Sequence, residues 1–351
     1  MLVRLPLRTP FTSAHGTETV REVTIVKLVA EDGVTGWGEC SSLGAPGYAA
    51  EIGTASWDAL RGEIVPALLA GGSWRDPSRP MASAAVDTAL ADLDCRSRHE
   101  SLAARLGGSR SWVETCAVIG LVPSLDELLA AASARVADGY RHLKLKIRPG
   151  WDVEPLRAVR EHFPQVSLAA DANGSYDDGG AAFPAAAVDS LGLAYLEQPF
   201  PAGRLDLAAE LGARAATPIA LDESIGSVEA ARRAVQTGAA RVLNVKPARL
   251  GGIGAACEVC EAAAGLGVDA FVGGMLETGV GRAAALAVAS LPGCSLPTDL
   301  GPSSRYFVQD LTEPIEVCGG RIPVPGGEGI GVAPLPERLA SFRVDHAVLR
   351  P

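Results

Sequence analysis

The chain has 351 residues, 48% of them hydrophobic and 21% charged, with a formal net charge of −10. That length suits one large barrel with an appended domain, or two α/β domains, and no apolar run approaches the roughly 18 residues a membrane span needs. The acidic balance argues against nucleic acid as a partner; the seven scattered cysteines fit a reducing compartment; and the start, MLVRLPLRTPF, lacks the marks of a secretory leader, so a cytoplasmic address is expected.

EVTIVKLVAEDGVTGWGEC (22–40) reads as two alternating strands around the Asp32-Gly33 turn. Helical stretches follow over about 49–70 and 81–106. The second is alanine-rich, carries Val86, Leu90 and Leu93 at helical spacing and closes at Gly107-Gly108. Residues 1–112 are therefore expected to form an α+β domain.

From about 113 short apolar runs alternate with amphipathic helices. The runs are ETCAVIGL (114–121), HLKLKI (142–147), VSLAADAN (166–173), LAYLEQP (193–199), PIALDES (218–224), RVLNVKP (241–247), VDAFVGGM (268–275) and CSLPTDLG (294–301). Each run from the second onward carries a charged residue or glycine near its end, Lys146, Asp171, Glu197, Asp222, Lys246, Gly274 and Asp299, at intervals of 24 to 28 residues. A βα repeat of this length over eight runs predicts a TIM-type barrel over 113–304, with the active site at the C-terminal ends of the strands. GGRIPVPGGEGIGVAPLP (319–336) reads as turns and short strands, and 305–351 is expected to return to the first domain. The CEVC pair at 257–260 has no second pair or nearby histidine to complete a zinc site and reads as buried helix cysteines.

Of the 31 basic residues, 27 are arginine; the four lysines are Lys27, Lys144, Lys146 and Lys246. Arginine keeps its proton in proteins and lysine can lose it, so lysine retained at strand ends points to a site that uses deprotonation. Lys144 and Lys146, one residue apart on a strand, share a face, and burying two ammonium groups under apolar helices would be very costly, which leaves the barrel mouth. Asp171, Glu197 and Asp222 end three successive strands; crowded together they cannot all stay ionised without a cation, and an all-oxygen set favours a hard ion such as Mg²⁺. Lysines on both flanks of a metal suit removal of a proton next to a carboxylate, with a neutral lysine as base and a cationic one stabilising the enediolate.

Other readings account for less. A class I aldolase would use Lys246 for a Schiff base but gives no reason for the three carboxylates. GVGRAA (279–284) matches a loose dinucleotide fingerprint, but follows the seventh run where a Rossmann unit would have it after the first, and reads as the tight start of a helix. A non-catalytic barrel predicts no constraint on the charged set.

KLK (144–146), DAN (171–173), EQP (197–199), DES (222–224) and NVKP (244–247), together with GWGEC (36–40), GGMLETGVGRAA (273–284) and SSRYF (303–307), resemble the muconate-lactonizing-enzyme subgroup of the enolase superfamily. The resemblance spans nearly the whole chain and is strongest to the o-succinylbenzoate synthase/N-succinylamino acid racemase branch. It implies a (β/α)7β barrel with an α+β capping domain built from the N-terminal region and the C-terminal tail, a Mg²⁺ cofactor replaceable by Mn²⁺, a small-molecule carboxylate substrate, no membrane partner and a homo-oligomer. Asp171, Glu197 and Asp222 would bind the metal, Lys146 would remove the α-proton, and Lys144 would hold the substrate carboxylate. Lys246 would be the opposite-face acid/base in racemisation or a cation over the intermediate in dehydration, with Arg249 influencing it. Asn173, Glu223, Gly273, Met275 and Glu277 would support the ligands or touch substrate, and loops near 11–17 and 41–48 would close the pocket. Dehydration in menaquinone biosynthesis and racemisation begin with the same proton abstraction and stay open, with a cycloisomerase or dipeptide epimerase behind them, although TDLGPSS lacks the D-x-D of the epimerases. The chain differs from this branch in two places: it begins close to its LPL motif, so most of the first strand is expected to be missing, and VIG (118–120) stands where a serine more often precedes the glycine.

Overall fold

The computed structural model describes residues 1–13, 16–44, 49, 51–177 and 183–351. β1 (Leu2–Ser13), β2 (Gly16–Val29) and β3 (Thr35–Cys40) form an antiparallel meander. The β2–β3 turn falls at Asp32-Gly33: Gly33 takes φ 87°, which favours glycine, and the Asp32 carboxylate accepts the Val34 N–H at 3.0 Å. β1 is 12 residues long. Val3 and Leu5 point into the core while Arg4 and Pro6 face out, the alternation of a strand, around the LPL motif.

The helix Pro80–Ser97 lies on this sheet. Its alanines allow a close approach: a Cβ at Gly36 or Gly38 of β3 would overlap the carbonyl oxygens of Ala89 and Ala85. The helix ends earlier than the sequence predicts. His99 turns left-handed at φ 56°, the Cys95 carbonyl accepts the N–H groups of Arg98 and Glu100, and Ser101 caps a separate turn, Leu102–Arg105. The stretch predicted for 49–70 is helical from Gly53 to Leu69 with a π turn over Leu60–Ile64; Pro66, which has no N–H to give, lies just beyond that turn.

β4 (Trp112–Glu114) leads into a parallel sheet of β5 (Ala117–Ile119), β6 (His142–Lys146), β7 (Ser167–Asp171), β8 (Leu196–Glu197), β9 (Ile219–Leu221), β10 (Val242–Val245) and β11 (Asp269–Val272), each beside its sequence neighbour. Seven of the eight predicted runs are thus strands. The eighth, 294–301, joins no continuous ladder, and Pro297 in its middle has no N–H to donate. It is nonetheless hydrogen-bonded on both sides, Leu296 to the Ala270 carbonyl at 3.1 Å and Thr298 to the Glu114 carbonyl at 2.9 Å. β12 (Arg321–Pro323) pairs with β4, and β13 (Arg343–Asp345) with β1.

Alternation along the strands sorts the two faces of the parallel sheet. Leu143, Leu145, Leu168 and Ala170 pack in the main core, whereas Ala169, Tyr195, Ala220, Val242 and Phe271 form a separate inner cluster. Lys144 stands over the Phe271 ring, 5.3 Å from its centroid, so the inner cluster floors the charged site. In the outer layer Cys260 meets Cys294, sulfur to sulfur at 3.4 Å, while Cys257 of the CEVC pair is half-buried. Among the described residues no helix is long and apolar enough to cross a membrane.

Candidate active site

The C-terminal ends of β6 to β10 deliver the charged residues that the repeat predicts. Lys144, Lys146, Asp171, Glu197, Asp222 and Lys246 line one cavity of about 110 Å³, with Asn173, Gly274, Met275 and Asp299. Lys146 ends β6 beside Asp171 in β7, its register partner, and Asp171 is followed across by Glu197 in β8. Sheet order therefore puts the carboxylates between Lys144/Lys146 on one flank and Lys246 on the other.

Each carboxylate holds a lysine. The Lys146 ammonium donates to Asp171 Oδ2 at 2.6 Å and to Asn173 Oδ1 at 2.7 Å; Lys246 donates to Asp222 Oδ2 at 2.9 Å. Lys144 donates to Glu197 Oε2 at 2.8 Å and to Asp299 Oδ2 at 2.6 Å. Burial alone would lower the Lys144 pKa, but the Asp299 and Glu197 carboxylates outweigh it and raise the pKa well above its ordinary value. Asp299 is the partner that sequence reasoning missed, although it occupies the same place in the repeat as the other acids.

The carboxylates differ sharply. Glu197 is fully buried, and desolvation together with the Asp171 carboxylate pushes its pKa up to about 8. Asp222 is almost as buried, yet the Arg249 guanidinium, 2.6 Å from Oδ1, and the Lys246 ammonium overcome the burial and hold it well below the usual carboxylate range. Among the described residues no three acidic, histidine or cysteine side chains stand together as a ready-made metal cluster, because the ammonium groups lie among the acids. The donor set still fits a hard divalent ion. Its donors are carboxylate oxygens at adjoining strand ends, and the mutual repulsion felt by Glu197 is a cost that a cation would relieve.

The remaining predicted residues take distinct places. Asn173 donates to Glu223 Oε1 at 3.0 Å, linking the ends of β7 and β9. Arg249 lies outside the cavity lining and reaches Lys246 through the Asp222 they share. Gly273 lies against the Asn244 amide and the Lys246 stem, where a Cβ would overlap both. Met275 lines the cavity; Glu277 does not, and instead accepts the Met275 N–H and lines a neighbouring cavity. Of the predicted closing loops, the side chains of 11–16 and residues 45–48 lie outside the described residues, and Leu43 reaches the cavity. Gln198, a plain member of EQP in the sequence, sits at φ 39° and accepts the backbone N–H groups of Asp222 and Ser224, tying β8 to β9. Such a bond follows only from the strands' being neighbours.

A lysine–carboxylate site at the C-terminal edge of a parallel sheet, beneath an antiparallel cap, defines a class that comparison makes specific. The model for the mandelate racemase / muconate lactonizing enzyme N-terminal domain matches residues 1–107, and that for the enolase C-terminal domain-like family matches 127–338. The chain belongs to the enolase superfamily and is an enzyme of its mandelate racemase / muconate lactonizing family, with the family's N-terminal capping domain.

Within that family it is 41% identical to the N-succinylamino acid racemase of an Amycolatopsis species over 348 residues, 96% of this chain and 94% of that one. It is 39% identical to the o-succinylbenzoate synthase of Geobacillus kaustophilus over 341 residues, 94% of this chain and 90% of that one. An enolase-superfamily crystal structure from Listeria innocua superposes with a TM-score of 0.91 at 33% identity, covering 97% of this chain and 95% of that one.

Proposed function

We propose that this enzyme removes the proton α to a substrate carboxylate and acts as an o-succinylbenzoate synthase in menaquinone biosynthesis. The observation that carries the reading is that Lys146 and Lys246 enter one cavity from β6 and β10, with three strand-end carboxylates between them. Lys146, in its neutral form, takes the α-proton and returns it to the departing hydroxyl, which leaves as water. Lys246 stays cationic across from it, fixed by Asp222, and faces the charge that develops on the substrate. Lys144 places positive charge at the β6 end of the cavity and orients the substrate carboxylate, while Asp299 and Glu197 keep it protonated.

Asp171, Glu197 and Asp222 would hold Mg²⁺ or, in its place, Mn²⁺, which supplies positive charge for the carboxylate of the substrate. Asn173 and Glu223 brace Asp171 and the β9 end; Gly273, Met275 and Glu277 shape the wall beside Lys246. The site would be the mouth of a closed (β/α)7β barrel over 113–304, with 294–301 as its eighth member, capped by 1–112 and the tail from 305; its bonds to Ala270 and Glu114 support that closure. Copies of the chain are expected to associate.

N-succinylamino acid racemisation is the second reading. It is favoured by Arg249, which shares Asp222 with Lys246 and so secures a protonated Lys246 able to deliver a proton to the opposite face. Two assays with Mg²⁺ separate the readings: formation of o-succinylbenzoate from its cyclohexadiene precursor, and deuterium exchange at the α-carbon of N-succinylamino acids. Both should vanish in Lys146→Ala. If turnover of every tested acid were unchanged in Lys146→Ala and Lys246→Ala, the mechanism would be wrong.

A further inference from the structure

Two of the seven cysteines meet away from the catalytic residues. Cys260, on helix Ile253–Leu266, and Cys294, which opens the eighth run, are both buried, with their sulfurs 3.4 Å apart. The chain around them is closely fitted. A Cβ at Gly293 would come within 2.8 Å of the Cys260 carbonyl oxygen, so the loop before Cys294 lies directly on that helix. Arg110 fixes the same loop, donating to the carbonyls of Ala289, Leu291 and Cys294.

Cys294 also lines a cavity of about 160 Å³ with Arg110, Trp112 and Glu114, and this cavity shares no lining residue with the catalytic one. It has ample room for a molecule little larger than water. The neighbouring thiols differ in character. The hydrogen bond with Cys260, helped by the Arg110 guanidinium, holds Cys294 below the usual thiol range in spite of burial. The same contact raises Cys260, and burial pushes the half-buried Cys257 up to about 11. Because the thiolate is the nucleophile, Cys294 is the thiol set to react first, with Cys260 within reach to resolve it.

We propose that Cys294 and Cys260 are an oxidative modification site, at which hydrogen peroxide entering the Arg110 cavity oxidises Cys294 and Cys260 then closes a disulfide. The Cys294 thiolate attacks one peroxide oxygen, the O–O bond breaks, and the leaving hydroxide takes up a proton to become water. The Cys260 thiol next attacks the sulfenic sulfur of Cys294. An S–S bond forms, the S–O bond breaks, and the departing hydroxide leaves as water with the Cys260 proton. Two thiols are oxidised and one peroxide is reduced to two waters. The bridge ties helix Ile253–Leu266 to the start of the run whose Asp299 holds Lys144.

Brief treatment of the whole enzyme with hydrogen peroxide, blocking of the remaining thiols in denaturant and tryptic mapping test this. Cleavage after Arg249, Arg282 and Arg305 puts Cys260 in the peptide 250–282 and Cys294 in 283–305. Most of both peptides should shift into one linked species, two hydrogens lighter than their sum, and dithiothreitol should return them. Cys257→Ala should keep the linked species, which separates Cys260 from its neighbour in the same peptide. In Cys260→Ala the reaction should stop at the sulfenic acid, and dimedone should label Cys294. Should that variant fail to fold, Cys257→Ala and the wild type still decide the pairing. Peptides that stay unlinked in the wild type, a link lost in a folded Cys257→Ala, or dimedone on Cys257 in place of Cys294 overturns the proposal.

Discussion

The Arg21 guanidinium, on β2 of the cap, donates to the Met275 carbonyl at 3.2 Å just beyond the end of β11. It also donates to the carbonyls of Leu276, Ser42 and Ser41, and the residue is wholly buried. Met275, Leu276 and Leu43 line the catalytic cavity, so one side chain pins the cap's loop to the rim of the sheet. Arg21→Met should cost about 2–4 kcal/mol in urea unfolding, because buried carbonyls lose their donor. It should also raise KM more than it lowers kcat, as the cavity wall loosens while the lysines stay in place. An unchanged KM in a folded variant would remove Arg21 from the site's support.

Glu39, at the end of β3, accepts from the Thr278 and Gly281 N–H groups, at 3.0 Å each, and from the Thr278 hydroxyl at the start of helix Gly279–Ala289. Burial raises its pKa despite these bonds. A carboxyl whose folded pKa lies above its unfolded value adds stability that is present below the unfolded pKa and is lost as pH rises through the folded one. Glu39→Gln has no such proton to lose. Thermal melts from about pH 4 to about pH 8 should therefore show the wild type's margin over Glu39→Gln shrinking as pH rises, and a constant margin would refute the assignment.

Gly38→Ala should destabilise by about 1–3 kcal/mol, since its Cβ must displace the Ala85 carbonyl of the packed helix. Gly62→Ala is the contrasting case, with open space around the new methyl and a helical backbone, and should be neutral or stabilising by up to about 1 kcal/mol. Chemical denaturation of the two variants checks the difference in sign.

Mg²⁺ should stabilise the folded enzyme by about 2.7 kcal/mol at a concentration 100-fold above its Kd, read as a rise in Tm. Glu197→Gln and Asp222→Asn should each lose most of that rise, and chelation should abolish turnover in the wild type. A Tm response that survives both substitutions would place the ion elsewhere.

Much of the site was legible in the sequence. The repeat set Lys146, Asp171, Glu197, Asp222 and Lys246 at equivalent strand ends, and alternation put Lys144 on the face of Lys146. The eighth run was less legible, because its polar end matched the repeat while Pro297 interrupts the ladder. Helix ends were also misread where a left-handed residue, His99, stopped an otherwise helical alanine pattern.

The sequence by itself determined the βα period, the inward face of each strand and the residue types offered at each strand end. These follow from chain length per unit and from local alternation, which neighbouring residues settle among themselves. Only the tertiary structure decided which charges meet. Lys144 finds Asp299 across 155 residues, and Arg21 finds Met275 across 254. Such pairs depend on how the sheet curves and how the cap docks, and both are set by packing over the whole chain.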